Sequence, residues 1–140
     1  MKLLILGLSC SGKTTISNHL SKILKIPCYH LDSYYWESCW IKNAKFDINE
    51  IINLKDWIID GNYYKEEFIR RLNESDFIIY LNVGLIKRLC RMINRHIRYK
   101  KNPDLFDPIS NRINFQFIVS TIRKHLFIQP KILRYLKRYY

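Results

Sequence analysis

Glycine is scarce in this chain, with four in 140 residues, where ordinary usage of about 7% would place about ten. Cysteine offers no scaffold either: none of Cys10, Cys28, Cys39 and Cys90 belongs to a Cys-x-x-Cys pair or to a Cys/His set with zinc spacing. A reduced, cytoplasmic chain is therefore the simpler expectation, with Cys28 and Cys90 serving as small apolar core residues. No apolar run approaches the ~18 residues of a membrane span, so no membrane partner is expected. The start, MKLLILGL, has the Lys and short apolar stretch of a secretory leader, but Gly7 and Lys13 follow too soon and no small-residue cleavage site appears. Acidic residues are missing from one part of the chain. Residues 85–140 hold fourteen Lys/Arg against Asp104 and Asp107, whereas residues 1–84 hold ten of each sign. The net charge of +12 thus lies in the C-terminal two-fifths, which fits an anionic partner there, nucleic acid included, or a merely solvated basic helical face.

What is present points to one α/β domain spanning 1–140. Hydrophobic residues make up 48%, enough for a core at this length. Apolar, partly β-branched segments recur at 3–6 (LLIL), 27–31 (PCYHL), 57–60 (WIID) and 77–83 (FIIYLNV). Between them, Ile16, Leu20, Ile23 and Leu24 share one helical face, and Tyr64, Phe68 and Leu72 repeat every four residues. Continuous apolar strands separated by helices imply a parallel sheet covered on both sides. After residue 84 the pattern is all helical: about 85–101, a loop holding Pro103 and Pro108, about 112–126, and a last helix after Pro130.

The few glycines cluster where strands end: Gly7 and Gly12 after the first, Gly61 after the third, Gly84 after the fourth. Ligands of open parallel sheets bind at that carboxyl edge. There Gly7-Leu8-Ser9-Cys10-Ser11-Gly12-Lys13-Thr14 satisfies the phosphate-loop pattern G-x-x-x-x-G-K-[ST], between a strand and an amphipathic helix as the mechanism requires. Inward backbone N–H groups and the helix N-terminus make an anion nest. Lys13 would reach the β- and γ-phosphates, Thr14 would ligand Mg²⁺, and Thr15 would offer a hydroxyl toward the α-phosphate. The loop also needs an acid at a neighbouring strand end, and Asp60, closing WIID before Gly61, is the candidate.

Two further features bear on where the phosphate goes. Asp32, in YHLDSYYW just beyond the second strand, is a carboxylate among apolar residues and a candidate to orient an acceptor hydroxyl; Tyr34, Tyr35, Trp36 and Trp40 around it could wall a ring or simply fill core. Arg88, Arg91, Arg95 and Arg98, spaced three, four and three apart, fall within about 80° of one helical face. Leu85, Leu89, Met92, Ile93 and Ile97 would pack inward from another side. A polyphosphate would relieve the repulsion along that stripe, and nucleic-acid phosphates would do so equally.

Taken together, GLSCSGKTT, HLDSYYW, WIIDGNY, the Arg-rich helix and the later PKIL segment resemble, nearly end to end, the small adenylate-kinase-like P-loop proteins described as DNA topology modulation proteins. The resemblance implies a P-loop NTPase three-layer αβα fold with a parallel sheet of order 2-3-1-4-5, and an Arg-rich helical lid at about 88–112. It implies Mg²⁺-dependent transfer of the γ-phosphoryl group of ATP to a nucleotide or small-molecule acceptor. Counting from Val83 gives Arg91 and Arg95 the lid role most directly, with Arg88 beside the nucleotide. The alternatives are an ATP-gated nucleic-acid-binding protein affecting DNA topology and a non-catalytic nucleotide-binding protein. Two departures stand out. Cys10 occupies a place where such loops usually have Gly, so a positive φ there means strain. No fifth strand follows the fourth, which is then expected to be an open edge, with reduced stability or weaker ATP binding.

Overall fold

A computed structural model describes residues 1–35, 47–62, 66–101 and 115–139. Trp36, Trp40, Tyr64 and the loop with Pro103 and Pro108 lie outside the described residues. The chain groups into two compact units, Met1–Gly7 with Gly12–Leu81, and Leu8–Ser11 with Asn82–Tyr140.

The first unit is built on four parallel strands, β1 (Lys2–Leu6), β2 (Cys28–His30), β3 (Trp57–Asp60) and β4 (Phe77–Tyr80), in the order β2-β3-β1-β4. The expected order is thus observed for these four, and among the described residues no strand pairs with the outer edge of β4. Leu3, Leu4, Ile5 and Leu6 are all buried, as are Trp57, Ile58 and Ile59, because both faces of the central strands are covered. Leu3, Ile5 and Ile58 form a core with Leu20 of α1 (Lys13–Leu24) and with Ile26, Cys28, Ile79 and Leu81. Helix α4 (Glu66–Glu74) packs against β1 and contributes the buried Leu72. Two short helices complete the unit: α2 (Leu31–Tyr35) and α3 (Ile48–Ile52), the latter capped by Asp47, whose carboxylate accepts from the Asn49 N–H at 2.9 Å.

The inward face of α1 differs from the expectation. Leu20 packs, but Ile16, Ile23 and Leu24 are exposed and Ser17 is buried. The helix is turned about its axis so that Ser17 and Thr14 meet a buried carboxylate at the sheet end, a polar demand that outranks the apolar periodicity.

The second unit is helical: α5 (Leu85–Lys101), α6 (Phe115–Arg123), a π-helical segment Lys124–Ile128 and α7 (Gln129–Tyr139). Pro130 does not break the helix as expected. A proline ring clashes with the carbonyl four residues back and supplies no N–H. The chain instead widens by one residue just before it, the Gln129 N–H bonding Lys124 O, five residues back. On α5 the expected sidedness is partly reversed. Arg88 and Met92 are buried, while Ile93 and Ile97 are 52% and 46% exposed. Cys90, half a turn from the Arg88–Met92 line, is exposed rather than core. Among the described residues no helix is long and apolar enough to cross a membrane.

Gly61 ties β3 to its surroundings most tightly. Its φ is +148°, and a Cβ there would stand 2.8 Å from Leu31 Cβ. Its carbonyl accepts from Nη1 of the buried Arg71 at 3.1 Å. Gly61→Ala is expected to destabilise the chain by about 2 kcal/mol through backbone strain and overpacking; urea denaturation measures it, and an unchanged midpoint would refute the contact.

Candidate functional site

Register assembles the first unit's polar cluster. In the parallel pairing, Ile5 lies beside Asp60 and His30 beside Asp60, so their side chains leave the same face, the one covered by α1. Asp60, the last residue of β3, is 4% exposed. Its Oδ2 accepts from Thr14 Oγ1 at 3.0 Å and from Ser17 Oγ at 3.3 Å, and lies 2.9 Å from His30 Nδ1. The sequence-derived pair Thr14–Asp60 is therefore brought together, joining the first turn of α1 to the end of β3.

His30 was not singled out in the sequence. Its Nε2 lies 3.0 Å from Asn18 Oδ1, so both ring nitrogens face oxygens and both carry protons. The bond to Asp60, then that to Cys28 Sγ at 3.9 Å, outweighs partial burial and raises the pKa from 6.5 to about 10. The ring is an imidazolium paired with the carboxylate. Asn62, present in the WIIDGNY segment, was also missed. Its side-chain carbonyl accepts from the Gly7 N–H at 3.0 Å, and its amide nitrogen donates back to Gly7 O, clasping the first residue of the loop to the turn after β3.

In the second unit, Leu8–Ser11 form a turn closed by the Ser11 N–H on Leu8 O at 3.1 Å. Cys10 has φ +62°, the left-handed value that the third position of a type II turn demands. The sequence-based concern about this residue is met: a side chain stands where glycine is favoured. Arg91 Nη1 donates to Ser11 O at 2.9 Å and Cys10 O at 3.5 Å. Peptide planarity turns the N–H of Gly12 away from the carbonyl so held. Ser11 Oγ is buried with no hydrogen-bond partner among the described residues.

The remaining candidates fall as follows. Gly12, φ +99°, precedes α1, and Lys13 opens it, half-buried. Thr15 is exposed and Ser9 half-buried. Asp32 is exposed in the first turn of α2. Arg88 is buried, its Nε donating to Val83 O at 3.0 Å. Arg95 is half-buried, with Nε out of solvent and unpartnered among the described residues.

For Mg²⁺ the donor set is one hydroxyl and one carboxylate, and among the described residues no three His/Cys/Asp/Glu gather to make a cage. That fits an ion which keeps several waters and takes the rest of its ligands from substrate phosphates. The chain matches no protein-family model, and comparison with curated proteins gives no match.

The His30 pair has a definite pH signature. Because the folded pKa is raised, its stabilisation is full below pH 6.5 and is lost as pH rises through about 10. Without divalent cations, the stability gap between the native chain and His30→Gln should be widest below pH 6.5 and close toward pH 10, read by urea denaturation; a gap independent of pH would mean a neutral ring. At Cys10, Gly should exceed Ala in stability by about 1 kcal/mol, since only the alanine keeps a Cβ in the left-handed region; equal melting would remove the strain.

Proposed function

We propose that the protein is a Mg²⁺-dependent kinase of the three-layer P-loop type, transferring the γ-phosphoryl group of ATP to a nucleotide or small-molecule acceptor. The observation that carries the reading is the Thr14 hydroxyl on the Asp60 carboxylate, at the carboxyl edge of a 2-3-1-4 parallel sheet, with Thr14 itself closing a complete G-x-x-x-x-G-K-[ST] segment. The left-handed Cys10 and Gly12 support it further, since loop residues of that conformation are the kind from which backbone anion nests are built.

Each residue then has a physical task. The loop amides and Lys13 bind and orient the triphosphate, and Thr14 with Asp60 would hold the metal. Bound Mg²⁺ supplies neutralisation of the charge developing on the β- and γ-phosphate oxygens. Asp32 orients the acceptor oxygen and takes its proton where it carries one. That oxygen forms the new bond to phosphorus as the bond to the β,γ-bridging oxygen breaks, and ADP leaves with the electron pair. Arg91 and Arg95 oppose the negative charge of the transferring group.

The test is ADP release across nucleosides, nucleotides and small alcohols. Lys13→Ala should abolish turnover. Asp32→Asn should lower transfer at least ~100-fold while ATP affinity stays within about two-fold, and chelation of Mg²⁺ should stop the reaction. ATP bound and turned over equally by Lys13→Ala refutes the assignment.

A further inference from the structure

From Phe115 to Tyr139 the chain has no acidic residue and six Lys/Arg. One side of this helical run is packed: Thr121, Gln129 and Ile132 are buried. Gln129 Nε2 donates to Asn82 Oδ1, and its Oε1 meets His125 Nδ1, each at 2.5 Å. The rest of the run's surface carries exposed apolar residues beside cations. Val119 is 45% exposed, Leu126 56% and Phe127 61%, and Val119 and Leu126, seven apart, share a face. Phe127 lies with Ser120, Arg123, Lys124, Ile128 and Lys131 in the lining of one groove of about 560 Å³, to one side of the Val119–Leu126 line. Single exposed apolar residues are ordinary; several on one helical run, the aromatic one lying among cations, mark an interaction surface.

We propose that this face docks on the surface of an anionic phospholipid bilayer. The cations meet lipid phosphates while Leu126 and Phe127 enter the boundary between headgroups and acyl chains, the arrangement of a basic amphipathic helix lying in the interface plane. Nucleic-acid phosphates would satisfy the same cations but would leave Val119 and Leu126 facing water or sugar-phosphate. A bilayer surface answers both halves of the pattern. The expectation of no membrane partner rested on the lack of a spanning segment, which an interfacial helix does not need.

The experiment is sedimentation of the full chain with vesicles of phosphatidylcholine alone and of equal parts phosphatidylcholine and phosphatidylglycerol. Binding to the mixed vesicles only is expected. Arg123→Ala with Lys131→Ala should weaken it about 25-fold, at roughly five-fold per cation. Leu126→Ser with Phe127→Ser, at exposed positions, should keep the melting temperature and lose at least ~10-fold in binding, most clearly at high salt where the charges are screened. The proposal is overturned if the native chain does not sediment with the mixed vesicles or if the double serine variant binds them equally. It is also overturned if a random-sequence DNA duplex is bound by native chain and serine variant alike while vesicles are not.

Discussion

A single carboxylate oxygen organises the first unit. Asp60 is the last residue of an otherwise apolar strand, and a buried charge of this kind is costly unless paired and hydrogen-bonded. Its Oδ2 is met by two hydroxyls from α1 and by a protonated imidazole from β2, so three elements, β3 included, converge on one atom. The rotation of α1 follows from it: bringing Thr14 and Ser17 to the carboxylate leaves Ile16 and Ile23 facing outward. The state of His30 follows as well, since the ring is charged because the carboxylate is there.

In the second unit, arginines act first on backbone. Arg88 reaches Val83 O and Arg91 reaches the carbonyls of Cys10 and Ser11. A guanidinium offers five fixed donors on a long apolar stem, so it can be buried beside main-chain carbonyls where an isoleucine would leave them unanswered. That is why Arg88 lies inward and Ile93 outward on α5, against a ranking by residue type.

The strands were legible because burial on both faces writes itself as an unbroken apolar run: WIID is the strand as observed, and LLIL is β1 but for one residue. PCYHL and FIIYLNV overran, their outer residues passing into a helix and a loop. Apolar pattern alone did not carry strand order, which came from the family resemblance. Asp60 was legible from its place between an apolar run and a glycine. His30 was not, because the signal is a register between strands thirty residues apart, and a one-residue slip would have turned it to the other face. Asn62 bonds a backbone, which leaves no periodicity to read. Helix faces failed where polar partners, absent from any hydropathy pattern, set the rotation.

The widened turn at Lys124–Ile128 is, in effect, one residue more than a regular helix would hold over that distance. Everything beyond it, the cations of α7 included, is phased by that surplus. Deleting a residue there would restore ordinary pitch, at odds with the ring of Pro130, and would turn the downstream side chains by about 100°. The two ends of this helical run can thus be re-aimed against each other by a change in length, with no change in composition.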